Sequence, residues 1–397
     1  MSIAQFQDRQ RIGWSRTRKW MFYAGLILIG VEIQGNYWNT DILYTFNQTP
    51  QNLEIIQKCP TLRQGVYKPT IYLQTAFLQS LYGSKFDPVP YVPMTRVEVP
   101  VENGLITIDS LPVNQKFLRS DKSENPKQKT LIILHGLTGA SECNYIRHTV
   151  LHANRKGFRV YCINMRGYAN SRMISAQTTD YSKLDDLLAG VNYIKSQNPD
   201  APLYMLGFSI GSLQLVKFLA KYKDIVKGAV AISCPWDIQT LAQEVKKPTK
   251  FIYNMAITRN FIRNMKWNLD VYKMSGIDVD QAQKCYRTED FDELVTKRVL
   301  GYENIQDLYK KINCVKEIQQ IEVPTLFISS MDDPVIQQTL IPKDEILNNK
   351  NIILALTKKG GHIEWFTGFK AVRWINKPVI EFLNCLDSVN NKNISHY

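Results

Sequence analysis

A serine can do covalent chemistry only if a turn exposes it and a neighbouring base takes its proton. Gly207-Phe208-Ser209-Ile210-Gly211 meets the first condition. The pentapeptide ends a short apolar run and opens a helical pattern. Its two glycines permit a tight strand-to-helix turn that lifts Ser209 clear of the chain. A helix N-terminus behind the serine favours developing negative charge. The chain has only five histidines, at 135, 148, 152, 362 and 396. A serine on such a turn is followed in the chain first by its acid and then by its histidine. His362, behind Gly360-Gly361, is the one histidine between Ser209 and the C-terminal tail that carries His396. It is expected to accept the serine proton and return it to the leaving group. The acid falls in Ser330-Met331-Asp332-Asp333-Pro334-Val335, where two carboxylates compete. An acid followed by proline and an aliphatic residue is the usual arrangement, so Asp333 is preferred and Asp332 is the alternative. The other aspartate is expected to cap the turn. An oxyanion needs two fixed N–H donors. Ile210, after the nucleophile, offers one, and Leu137 in His135-Gly136-Leu137-Thr138-Gly139 offers the other. His135 is then structural.

His148 and His152 stand four apart, as metal ligands on a helix would. The zinc-protease pattern needs a glutamate after the first histidine, and Thr149 follows here. With no third ligand nearby the pair is expected on a solvated helix face, with no metal and no cofactor. No glycine-rich phosphate loop occurs.

These residues need a scaffold. Thr130–Leu134 is a continuous apolar run, as in a strand buried on both faces. A helix is expected over 141–155 with Ser141 as N-cap. A strand follows at 158–163, then a helix at 180–197, a strand at 203–206, a helix at 211–223 and a strand at 226–233. The alternation stops at Pro235 and resumes with a strand at 324–330, a helix near 342–349, a strand at 352–356 and a helix at about 370–386. Alternating strands and helices mean right-handed crossovers and a mostly parallel sheet flanked by helices. Arg96–Val101 and Leu105–Ile108, split by Glu102-Asn103-Gly104, read as an antiparallel hairpin at its edge. The expected division is a basic N-terminus at 1–38, an N-terminal extension at 39–95, the first part of the core at 96–235, a helical insertion at 236–320, and the second part of the core at 321–397.

Hydrophobic residues make up 44% of the 397 and charged residues 21%, which excludes a disordered chain and supplies a large core. The formal charge of +13 is spread along the chain apart from residues 1–20. No basic stripe with interleaved aromatics follows a nucleic-acid module, so no nucleic acid is expected. Seven scattered cysteines without a CxxC read as reduced thiols in an intracellular compartment. Trp20–Val31 is a 12-residue apolar run closed by Glu32. A full span needs about 20 residues. A buried helix and a membrane anchor both fit, and no cleavage site follows that would mark a removed secretory signal. The expectation is a membrane-associated, intracellular protein, at the endoplasmic reticulum or the mitochondrion, not secreted.

Taken together, these residues resemble the α/β-hydrolase superfamily, and residues 286–334 narrow the resemblance. Phe291, Asp292, Glu293 and Thr296 match an FDExxT segment. Gly301, Tyr302 and Tyr309 match the stretch after it, and Ile321–Pro334 resembles the IxxPTLxxxxxDDP strand of the AB-hydrolase-4 family. Tyr72-Leu73-Gln74-Thr75 stands for HLQT, and Gly360–Glu364 for GGHIG. Three positions depart from the pattern. RGxGGS becomes Arg166-Gly167-Tyr168-Ala169-Asn170-Ser171, the histidine of HLQT becomes Tyr72, and Glu364 replaces a glycine. The resemblance covers roughly residues 60–386. It implies an α/β-hydrolase fold whose insertion is a lid, and an activity among serine esterases, acylglycerol lipases, phospholipases and acyltransferases.

The expected function is hydrolysis of carboxylic esters of apolar or lipid acyl substrates through Ser209, His362 and Asp333. The lid's Phe251, Met255, Phe261 and Trp267 are candidates for an acyl pocket. Two alternatives are an acyltransferase passing the same acyl group to an alcohol, and a non-catalytic subunit of a larger membrane or organellar assembly. The expected partners are a small-molecule or lipid ester and a membrane surface.

Overall fold

A computed structural model describes residues 40–112 and 128–390. The apolar run at 20–31 and the basic stretch before it lie outside the described residues. Among the described residues no helix is long and apolar enough to cross a membrane.

Nine strands form one sheet. They are β1 (Ile42–Phe46), β2 (Thr95–Val101), β3 (Gly104–Leu111), β4 (Thr130–Leu134), β5 (Arg159–Asn164), β6 (Leu203–Phe208), β7 (Gly228–Ile232), β8 (Thr325–Ser330) and β9 (Ile352–Thr357). Their order across the sheet is β1-β9-β8-β7-β6-β4-β5-β3-β2. The six strands from β9 to β5 run parallel, and β1, β3 and β2 pair antiparallel at the two edges. This is the doubly wound arrangement expected of an α/β-hydrolase fold.

Both faces of the parallel strands are covered, which is why they read as unbroken apolar runs. Ile132 and Leu134 of β4 pack with Leu187 and Val191 of the helix Asp185–Gln197 and with Leu213 and Val216 of Ile210–Lys221. Leu131 and Ile133 face the other way, toward Ile146 and Val150 of Asn144–Arg155 and toward Val379 and Leu383 of Asn376–Asn390. Between β7 and β8 the chain is helical, with no strand. This insertion has a small apolar core of its own, in which Ile262, Met265, Tyr272, Phe291 and Val295 pack with Met173 and Ala176.

Strand β1 was not expected. It adds antiparallel to β9, with Ile42 opposite Thr357 and Phe46 opposite Ile353. Only Ile42 is buried, so its five residues carry no alternation to read. Three helix starts also differ, each because a polar side chain or a hairpin takes the residues first. Ser141 does not cap a helix. Its hydroxyl bonds Asp109, its N–H bonds Asn164 Oδ1 at 2.8 Å, and the helix begins at Asn144. Asp180 accepts from Ser182 N at 2.9 Å, which holds a turn ahead of the helix that starts at Asp185. The last helix starts at Asn376 because a two-stranded hairpin, β10 (Phe366–Thr367) with β11 (Val372–Arg373), occupies the residues before it.

Candidate active site

Strand β4 has β5 on one side and β6 on the other, so the chain reverses its direction of travel across the sheet at this point. Ligands in open α/β sheets bind outside the carboxyl ends of strands at such a switch. The turn after β6 and the loop after β4 meet there. Ser209 sits at φ 51° and ψ −120°, a conformation that non-glycine residues rarely hold. Its N–H is tied to Ile232 O at 2.9 Å. Gly211 lets the following helix close on β4: a Cβ there would lie 2.6 Å from both Leu134 O and His135 O.

His362 reaches the serine from the loop after β9. Its Nε2 lies 2.8 Å from Ser209 Oγ, and its Nδ1 lies 2.9 Å from Asp333 Oδ2. Burial alone would lower the His362 pKa. The Asp333 carboxylate, by charge and by hydrogen bond, and the nearby Glu364 raise it above the usual imidazole value. Asp333 is buried, and its other oxygen, Oδ1, accepts from Val335 N at 2.8 Å and Ile336 N at 2.9 Å. The carboxylate that faces the histidine therefore also caps the turn, a role the sequence reading gave to the other aspartate. Asp332 points elsewhere. Its Oδ1 is buried without a partner, and burial pushes the group up to about 7.

Ile210 follows the serine in the chain, and Leu137 follows Gly136. Gly136 packs on the serine, since a Cβ there would lie 3.4 Å from Ser209 Cβ. The loop is clamped from three sides. Gly136 N donates to Tyr145 Oη at 2.9 Å, His135 Nδ1 lies 2.8 Å from Gly136 O, and Met165 N donates to His135 Nε2 at 3.2 Å. Burial lowers the His135 pKa to about 4, consistent with a neutral structural imidazole. Sequence reasoning missed Tyr145, because an aromatic on an apolar helix face looks like core.

His148 and His152 are half-buried rather than solvated. His148 Nε2 lies 2.9 Å from Pro88 O and 3.4 Å from Asp87 Oδ2. Among the described residues no group of three His, Cys, Asp or Glu side chains is placed to hold a metal ion.

A cavity of about 150 Å³ lies between the core and the insertion. Leu137 and Ile210 line it, together with Tyr168, Phe261, Met265 and Phe291 among others. Of the four insertion residues named as acyl-pocket candidates, only Phe261 lines it. Phe251 and Trp267 face solvent.

The three departures each have a physical place. Ala169 and Asn170 hold φ of 53° and 56°, backbone that glycine would adopt without strain. Tyr72 Oη donates to Phe369 O at 2.8 Å. Glu364 is buried against Gly83, where a Cβ would come within 2.4 Å of its Cγ, and burial pushes it up to about 7.

Comparison with known proteins agrees with this architecture. The family model described as serine aminopeptidase, S33, matches residues 125–351, more than half of the chain. An abhydrolase domain-containing protein of Dictyostelium discoideum is 30% identical over 370 residues, covering 89% of this chain and 90% of its own. Phospholipase ABHD3 of Bos taurus is 27% identical over 314 residues, covering 78% and 75%. The solved structure of Est1E from Butyrivibrio proteoclasticus with ferulic acid bound shares the fold at 16% identity and a TM-score of 0.51, covering 74% of this chain and 99% of that one. The chain belongs to the AB-hydrolase-4 family of the α/β-hydrolase superfamily.

Proposed function

We propose that this protein is a serine hydrolase of carboxylic esters with an apolar acyl group. The observation that carries the reading is the hydrogen-bonded line from Asp333 through His362 to Ser209, 2.9 Å on one side of the imidazole and 2.8 Å on the other. With the proton on Nδ1 held by Asp333, Nε2 is free to accept from the serine hydroxyl. Ser209 Oγ attacks the ester carbonyl as its proton passes to His362 Nε2. The tetrahedral oxyanion is held by the N–H groups of Leu137 and Ile210. His362 then protonates the departing alcohol, leaving an acyl-serine, and water repeats the cycle to release the acid. No cofactor takes part.

The cavity beside Leu137 and Ile210 supports an apolar acyl group. Its walls are mainly apolar, and its volume of about 150 Å³ is that of an engineered apolar cavity that holds benzene. In this arrangement it seats about six carbon atoms, and longer chains need the insertion helices to shift. The insertion thus serves as a lid. A relative named as a phospholipase supports lipid esters as the class. The test is hydrolysis of p-nitrophenyl butyrate by the wild type and Ser209→Ala. The variant should fold as the wild type does and retain at most a thousandth of its kcat. Turnover within tenfold of the wild type would refute the reading.

A further inference from the structure

The helix Phe251–Met265 has two unlike faces. Its inner side is built into the site. Asn254, Thr258, Ile262 and Met265 are buried, and Phe261, Asn264 and Met265 line the cavity. Asn264 Nδ2 donates to Thr138 O at 3.4 Å, beside the loop that carries Leu137. At the other end Lys250 Nζ donates to Pro334 O at 2.6 Å, next to Asp333. The helix therefore lies along the rim of the catalytic mouth.

Its outer side carries Ile252, Ala256, Arg259 and Arg263, all exposed. Their spacing puts them in one stripe along the helix. Lys266 and Trp267 follow at its end, also exposed. Ile252 is 62% and Trp267 59% exposed, and the exposed Phe251 ring stands 6.5 Å from that of exposed Tyr286. From Lys246 to Trp267 there are six basic residues and no acidic one. Lys247 pairs with Glu244 at 2.7 Å and Lys250 is turned inward, so the free charge of the face comes from Arg259, Arg263 and Lys266, which enter none of the ion pairs among the described residues; Glu289 meets this helix through Asn254, on the inner side. An ordinary solvated face mixes both signs of charge and exposes few large apolar side chains.

We propose that Lys246–Trp267 is a docking face for an anionic lipid bilayer. This rests on the reading of the protein as a hydrolase of apolar esters. Apolar side chains on such a ridge enter the boundary between headgroups and acyl chains, while Lys and Arg are drawn to anionic headgroups. Docked this way, the rim of Ser209, His362 and the cavity meets the layer in which a lipid ester resides. The basic charges act over a distance set by salt, about 10 Å at 0.1 M.

The test compares two esters for the full-length chain: p-nitrophenyl butyrate free in solution, and an apolar p-nitrophenyl ester carried in phosphatidylcholine–phosphatidylserine vesicles. Ile252→Asn with Trp267→Ser should lower the vesicle rate at least fivefold and leave the soluble rate unchanged. Arg259→Glu with Arg263→Glu should do the same at low salt, with the loss shrinking on vesicles of phosphatidylcholine alone. Hydrogen exchange supplies a second readout, with amides in 246–267 gaining protection when anionic vesicles are added to the wild type. A vesicle rate unchanged in both double variants, together with unchanged exchange in 246–267, overturns the docking face and leaves the hydrolase reading standing. A wild type silent on both esters refutes the hydrolase reading itself.

Discussion

Replacing Asp333 by asparagine changes one atom and should cost about four orders of magnitude in kcat. The reason lies in how the two carboxylate oxygens are used. Oδ1 accepts from Val335 N and Ile336 N and lies 3.2 Å from His362 Nδ1, while Oδ2 makes the shorter contact to that nitrogen, at 2.9 Å. An asparagine keeps both backbone bonds only by placing its carbonyl oxygen where Oδ1 was. Its NH₂ group then faces Nδ1. Two donors cannot share that contact, and the carbonyl oxygen, already holding two backbone N–H groups, offers Nδ1 only the longer 3.2 Å contact, so the imidazole shifts toward the tautomer with its proton on Nε2. Nε2–H points at Ser209 Oγ and cannot accept the serine proton. A wrong tautomer of this kind costs about 10⁴-fold, or about 5.4 kcal/mol of transition-state stabilisation. The imidazolium formed during attack also loses its counter-charge. The assay is kcat and kcat/KM on p-nitrophenyl butyrate across pH 5–9, with the urea midpoint measured beside it. Asp332→Asn is the control. Asp332 does not touch the histidine, so this change should cost less than about threefold. An Asp333→Asn enzyme within tenfold of the wild type, or a larger loss at Asp332, would refute the argument.

Other consequences follow from the same geometry. Because His362 must be neutral to accept a proton and its pKa is raised, kcat/KM should fall as pH drops through a value above the ordinary imidazole pKa of about 6.5. Glu364 contributes to that rise, so Glu364→Gln should move the acid limb to lower pH, and an unmoved limb would contradict the assignment. Tyr145→Phe removes the acceptor for the buried Gly136 N–H and should cost about 1–3 kcal/mol in urea unfolding, with a fall in kcat because the loop bearing Leu137 loosens. Phe261→Ala opens the wall of the cavity. It should raise the ratio of octanoate to butyrate ester kcat/KM at least threefold, and an unchanged ratio would place the acyl chain elsewhere.

The parallel sheet was legible because its strands are buried on both faces. Runs such as Thr130–Leu134 and Ile352–Leu356 have no polar interruption, and each is followed by a helical period. The serine turn was legible for a related reason, since its glycines answer a steric demand that leaves a fixed spacing. What stayed hidden depends on partners distant in the chain. Strand β1 is defined by pairing with β9, about 310 residues further on, and not by its own pattern. The start of the helix Asn144–Arg155 depends on Asp109 and Asn164 taking Ser141. The DDP turn was ambiguous because either aspartate has the right chemistry. Local sequence does not say that one carboxylate can cap the turn and face His362 at once. The acyl-pocket candidates Phe251, Met255, Phe261 and Trp267 share only large apolar side chains, and that does not give the helix phase that stacks Phe261 on Phe291 and leaves Phe251 beside the exposed Tyr286.

The central claim is that Ser209 is the nucleophile and His362 its base. It is tested most directly by treating the full-length protein with a fluorophosphonate and mapping the modified peptide by mass spectrometry. One adduct per chain is expected, on Ser209, formed rapidly in the wild type, absent in Ser209→Ala and slowed at least a thousandfold in His362→Ala. An adduct on another residue, or labelling that persists in Ser209→Ala, would contradict it.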